Sequence, residues 1–187
     1  MRGGRKARAG LAGAVLALAL LAALPVGSAS GGLSGVFVLY ESDGVRIPND
    51  HSSARLSFEV PSEDIGSVAA AFRIRHERTQ QLKLFVKAPG VPAVLLSKGD
   101  TKGENLGVAP CPESTTSDDN FTNISDSASN PLSSGTAPYV GDFLPRKSMS
   151  ALEGTRPQGT WSLIVKDTAG GPSGKLMCGM IQIALAH

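Results

Sequence analysis

The sequence predicts an all-β protein, a two-sheet sandwich or jelly roll, on three observations. Apolar residues alternate with period two, clusters of breakers separate the alternating runs, and no sustained helical period appears after residue 29. Ala54 to Val60 (ARLSFEV) puts Ala54, Leu56, Phe58 and Val60 on one face and Arg55, Ser57 and Glu59 on the other. In Val68 to His76, Val68, Ala70, Phe72 and Ile74 share a face while Arg73 and Arg75 point away. Leu82, Leu84 and Val86 alternate with Lys83 and Lys87, and Trp161, Leu163 and Val165 with Ser162 and Lys166. Leu176 to Ile183 is apolar on both faces, the pattern of a more deeply buried strand. Between the runs stand Pro48-Asn49-Asp50, Ala88-Pro89-Gly90, Arg156-Pro157-Gln158-Gly159 and Gly170 to Gly174, whose residue types end strands and make turns.

The stretch from Lys98 to Asn130 does not alternate and is polar. It is expected to be an extended loop carrying one short strand around Phe121. Long irregular segments in compact domains carry recognition, so it is the candidate contact region.

The start of the chain has a different logic. Met1 to Gly10 is basic, Leu11 to Val26 is apolar without a charge, and Pro25, Gly27, Ser28 and Ala29 break the run. This is the order of a secretory signal peptide, with cleavage after Ala29 and Gly27 at the −3 position. An uncleaved anchor needs roughly 20 apolar residues, and this run is shorter and ends at a proline. The expected organisation is a signal peptide over residues 1–29, a flexible leader with an opening strand over 30–44, and one domain over 45–187. Four of the 18 basic residues lie in the first ten positions, so cleavage leaves 14 against 16 acidic ones and turns a net charge of +2 into −2. A nucleic-acid role and a polybasic membrane role both lose their electrostatic support. Export also makes the two cysteines a disulfide candidate, and two allow a single intramolecular pairing, Cys111 with Cys178.

Gly159 to Leu176 (GTWSLIVKDTAGGPSGKL) resembles the closing motif of the P domain, or Homo B domain, of subtilisin-like proprotein convertases. That motif runs Gly-Thr-Trp-x-Leu-x-Val-x-Asp, then a Gly-rich hairpin and Gly-x-Leu. Ile74-Arg75-His76, Leu82, Leu84 and Ala88-Pro89-Gly90 resemble the upstream Ile-x-His, Asp-Leu and Ser/Ala-Pro-x-Gly series. Ile47-Pro48 with Asp50 is similar to the opening Ile-Pro-Asp, and Asn120-Phe121-Thr122 and Ser134 to Tyr139 to the middle segment of bacterial versions. Leu144-Pro145 through Leu152 and Gly154 resembles the segment before the Trp strand. The match spans residues 45 to 185. It implies a jelly-roll β-sandwich that packs against a subtilisin-like catalytic domain. Three positions depart from the family: Gln81 stands for the Asp of Asp-Leu, Gly179 for a Trp in the last strand, and the acidic cluster after Asn-Phe is thinned to Asp126.

Catalysis by this chain is not expected. A subtilisin-type site needs an Asp, a His and a Ser in an oxyanion-hole setting. None of His51, His76 and His187 is followed by Gly-Thr, and neither a Gly-Thr-Ser segment nor Gly-x-Ser-x-Gly occurs. His76 reads as a structural histidine whose ring bonds a neighbouring strand or loop, and Trp161 as a plug of the sandwich core. Oxygen-rich loops make Asp118, Asp119, Asp126 and Asp167 the candidate calcium ligands, against the simpler reading of solvated turn formers. Asn120-Phe121-Thr122 and Asn123-Ile124-Ser125 fit the glycosylation acceptor pattern.

The sequence therefore describes a secreted, non-catalytic binding or stabilising module. Its expected partner is a subtilisin-like protease met in trans or another extracellular protein. The alternatives are a cryptic hydrolase within a serine-protease system and an adhesion module. N-terminal sequencing of secreted material should find Ser30 as the first residue; a membrane-retained chain beginning at Met1 or Arg2 would refute the cleavage.

Overall fold

The computed structural model describes residues 36–60, 64–113, 120–154 and 158–186. Among these residues there are ten strands, three short 3-10 turns and no α-helix. The strands are β1 Val36–Glu41, β2 Val45–Ile47, β3 Ser53–Val60, β4 Ile65–Arg75, β5 Leu82–Lys87, β6 Val94–Lys98, β7 Thr122–Ser125, β8 Gly141–Phe143, β9 Gly159–Asp167 and β10 Gly174–Leu185. The first sheet has the order β1-β10-β4-β7-β8, with β2 alongside one end of β10; the second has the order β3-β9-β5-β6. Every pairing is antiparallel except β7 with β8. The class expected from period two, all-β in two sheets, is the class observed.

The alternation sets which side faces the core. In β3, Ala54, Leu56, Phe58 and Val60 are buried while Arg55, Ser57 and Glu59 are exposed. These inward residues oppose Val165, Leu163, Trp161 and Gly159 of β9, so one register row after another delivers apolar groups to the same side. The first sheet answers with Val68, Ala70, Phe72 and Ile74 from β4 and Leu176, Ile181 and Ile183 from β10. Trp161 is fully buried within this core. Burying a side chain of this kind contributes roughly 1.5–3 kcal/mol each, before the ordering entropy is set against it.

Gly179, where the resemblance would expect Trp, has a steric reason to be glycine. A Cβ there would lie 2.7 Å from Leu163 Cδ1 and 3.1 Å from Leu56 Cδ1. The leucines of the second sheet already fill the space that a tryptophan would need.

The outer face of the first sheet is also covered. Phe121, Cys178, Met180 and Ala71 form a second small core, with Tyr40 and Cys111 packed against it. Cys111 and Cys178 are disulfide-bonded, with Cα atoms 6.1 Å apart, and the Tyr40 hydroxyl donates to the Pro112 carbonyl at 2.8 Å. This cover accounts for the two-faced apolarity of β10. It also changes the environment of Arg73, which points outward as its position in β4 dictates yet is only 3% exposed. Its Nη1 donates to the Pro110 carbonyl, and its guanidinium lies 4.2 Å from the centre of the Phe121 ring. Burial pushes the Arg73 pKa below its ordinary value, with Tyr40 acting in the opposite direction.

The described parts of the segment from Lys98 to Asn130 are thus anchored to the first sheet, with β7 directly after Phe121 as its short strand. The leader likewise contains β1, which pairs with β10 from Val36↔Ala184 to Glu41↔Gly179.

The disulfide closes a loop with a sequence separation of 67. Loop-closure entropy assigns such a crosslink about 4 kcal/mol. The double variant Cys111→Ser, Cys178→Ser should therefore unfold at a distinctly lower urea concentration, by up to that amount. An unchanged midpoint would show that the crosslink does not stabilise the fold.

Candidate functional site

His76 follows the last residue of β4 in the first sheet, and Asp167 is the last residue of β9 in the second. The His76 Nε2 lies 3.2 Å from Asp167 Oδ2, and neither side chain has any exposure. On the other side of the ring, the Arg78 N–H donates to His76 Nδ1 at 3.1 Å. A nitrogen that accepts from a backbone amide carries no proton, so the ring proton sits on Nε2 and is donated to the carboxylate. The second carboxylate oxygen, Oδ1, accepts from the Ala169 N–H at 3.0 Å.

The backbone around the pair is fixed as well. The His76 N–H donates to Asn105 Oδ1 at 3.0 Å, and the Asn105 N–H donates to the His76 carbonyl at 2.9 Å. Asn105 has φ +60°, a left-handed conformation that asparagine tolerates better than most residues. Thr168 donates both its N–H and its hydroxyl to the Gln81 carbonyl, at 2.9 and 2.7 Å. Gly174 lies against the imidazole: a Cβ there would sit 2.4 Å from His76 Cδ2 and 2.7 Å from the Arg75 carbonyl oxygen. Any side chain at 174 would displace the ring.

Chemically, this arrangement is a clamp between sheets. A His–Asp pair is two-thirds of a proton-relay triad, but here both ring nitrogens are engaged and the ring is closed to water. A cleft of about 680 Å³ opens beside it, lined in part by Arg46, Arg75, Glu77, Glu104 and Lys175. Ser173 also lines that cleft and makes no hydrogen bond to the ring.

The other candidate residues are dispersed. Asp126 Oδ2 accepts from the Ser148 hydroxyl and the Met149 N–H, both at 2.8 Å, and so holds the 3-10 turn Met149–Leu152 in place. Asp167 spends its oxygens on His76 and Ala169, so the two aspartates share no partner. Asp118 and Asp119 lie outside the described residues, as do Ala29 and His187. Among the described residues, no group of three or more His, Cys, Asp or Glu side chains could hold a metal ion. The donor set seen for Asp126 and Asp167 does not fit a shared calcium. His51 is exposed in a turn, Asn120 is exposed, and Asn123 is half-buried in β7.

Asn105 was not legible as part of the node. Its only signal is its place before Leu106 in a turn-forming Gly-Glu-Asn stretch, and the contact it makes is between segments far apart in sequence.

No family model matches the chain, and no curated protein matches it. Among the solved structures similar to it are two of a serine protease. One is the complex of Aeromonas sobria serine protease with the chaperone, at 15% identity and a TM-score of 0.48, over 82% of this chain and 27% of that one. The other is the serine protease of Aeromonas sobria, at 12% identity and a TM-score of 0.44, over 83% of this chain and 28% of that one. The chain thus spans little more than a quarter of the length of either.

Removing the carboxylate should leave the buried Nε2–H and the half-buried Ala169 N–H without their acceptor. Asp167→Ala is expected to lose about 3 kcal/mol, and Asp167→Asn, which keeps one acceptor oxygen, less. Gly174→Ala should destabilise by about 1–3 kcal/mol through the forced ring movement. Urea unfolding of the three variants checks the order; a wild-type midpoint for Asp167→Ala would show that the clamp carries no stability.

Proposed function

We propose that this chain is a secreted, non-catalytic contact module of the P-domain (Homo B) type, which binds and stabilises a subtilisin-like serine protease or another extracellular protein. The observation that carries the reading is the meeting of three separated motif pieces at one node. Ile74-x-His76, Val165-x-Asp167 and Gly174-x-Leu176 were set apart by resemblance alone, and a single clamp explains why each residue type stands where it does. A motif whose histidine and aspartate are spent on joining two sheets supports a structural role for them, and the full engagement of the His76 ring speaks against its use as a base.

A module without a reacting group acts through its surface. Binding to a subtilisin-like protease secreted by the same source should be measurable with purified components, over a total buried area of roughly 1,200–2,000 Å². Casein and fluorogenic peptides should remain intact in its presence. Cleavage that a serine-directed inhibitor abolishes would overturn the reading. Calcium belongs to this reading only as a stabilising ion, expected from the sequence at Asp118 and Asp119, which lie outside the described residues. At a hundredfold excess over its dissociation constant it would raise stability by about 2.7 kcal/mol. Equal melting points in calcium and in chelator would remove the ion and leave the contact role standing.

A further inference from the structure

The two sheets differ on their outer faces. That of the first sheet lies partly under the disulfide-bonded cover, whereas that of the second carries a set of cations in register. Lys166 of β9 is paired with Lys83 of β5, which is paired in turn with Lys98 of β6. Adjacent strands lie about 4.8 Å apart, so three like charges are aligned within about 10 Å. Directly opposed like charges destabilise a sheet. Among the described residues none of the three ammonium groups forms an ion pair within 4.0 Å, the pairs there being His76 with Asp167 and Arg146 with Asp100, although the Lys98 N–H donates to Asp100 Oδ2 at 2.8 Å.

The next row on this face is apolar: Ile164, Phe85 and Leu95 stand opposite one another across the same three strands. Ile164 is buried, and Phe85 and Leu95 are half-buried. Arg55 of β3 stands at the end of that row, opposite Ile164, and Lys87 one row beyond it; both are exposed, with Arg55 Nη1 3.4 Å from the Ser162 hydroxyl. The one acid of β3 on this side, Glu59, accepts from the Thr160 hydroxyl at 2.6 Å. Among the described residues of these strands, five cations and one acid on this face contrast with the charge of −2 for the chain after residue 29.

We infer that the outer face of the second sheet, built on Lys166, Lys83, Lys98, Arg55 and Lys87 around Phe85 and Leu95, is the docking surface for an acidic, partly apolar protein segment. This rests on the proposed function and adds the face and the partner's chemistry to it. Cations around an apolar strip reproduce the apolar centre and polar rim of a protein interface. A uniformly charged polymer would leave the strip unused. An acidic segment also removes the like-charge repulsion that the free protein bears, so binding and relief of that repulsion are one event.

The test uses the secreted protein and a fluorescein-labelled peptide in which Glu alternates with Leu or Phe, read by fluorescence anisotropy. Saturable binding at about 50 mM salt is expected to weaken about tenfold or more by about 300 mM. Lys83→Glu with Lys166→Glu should weaken it by a similar factor. Arg46→Glu with Lys175→Glu, a neighbouring cation pair on the first sheet with the same charge change, should leave it nearly unaltered. Equal losses in both double variants, a loss confined to the Arg46 and Lys175 variant, or no saturable binding overturns the inference. Tighter binding of heparin than of the peptide overturns it in favour of a polyanion. As a check that does not depend on the peptide, Lys83→Gln should raise the melting temperature by relieving the row; a lower one would mean that Lys83 is satisfied within the chain, which also overturns it. Any of these outcomes leaves the proposed function standing, and that reading fails separately if the purified chain proves to be a peptidase.

Discussion

The hydrogen bond between His76 and Asp167 is the constraint on which the rest of the sandwich turns. Apolar packing holds two sheets together without fixing how far one slides over the other, because it is non-directional. A buried carboxylate is different: away from its donors it loses far more than a misplaced methyl group does. Asp167 is satisfied by the imidazole of the opposite sheet and by the amide two residues on. The end of β4 and the end of β9 are thereby fixed to each other, and with them the start of the Gly-rich turn that leads into β10. Gly174 belongs to the same constraint, since the ring occupies the volume of its missing side chain.

A second asymmetry lies in how the outer faces are treated. On the first sheet, Phe121, the Cys111–Cys178 bond and the Tyr40 hydroxyl turn an outer surface into an interior, to the extent that an arginine is buried there. Arg73 is tolerated because a carbonyl and an aromatic face take up part of its charge, although its Nε has no hydrogen-bond partner among the described residues. On the second sheet, cations remain in register around an apolar row. One face is finished by the chain itself; the other presents chemistry that the described residues do not complete.

Much of the architecture was legible because period two is a local signal. The inward residues of β3 and β5 could be named from the sequence, since these strands bury one face only, whereas β9 also buries Ser162 and Ile164 on its outer face. The partner of each strand was not legible, because register is set by contacts between distant segments. Arg73 shows the limit well: alternation gives its direction correctly, while its burial depends on a loop some forty residues on, whose path no local pattern encodes. At the node, the resemblance singled out His76, Asp167 and Gly174 as motif residues. It gave no hint that they touch, and Asn105 carried no signal beyond a turn. The candidate calcium ligands were chosen by residue type, and Asp126 proved to be an acceptor for Ser148 and Met149.

The position of β10 in the first sheet has a consequence for how the chain acquires its structure. This strand pairs with β1, β2 and β4, all of which precede it by most of the domain's length. As the polypeptide is made, β1 and β2 emerge before the strand they pair with, and the cysteine at 111 waits for its counterpart at 178. Pairing can join β5 with β6 and β4 with β7 earlier, but β1 and β2 enter the first sheet only when β10 arrives. Assembly of this kind is slow, because the entropy of closing long loops must be met before the pairings reward it. A nascent chain that stays open until late is also one that can still be threaded through a narrow pore.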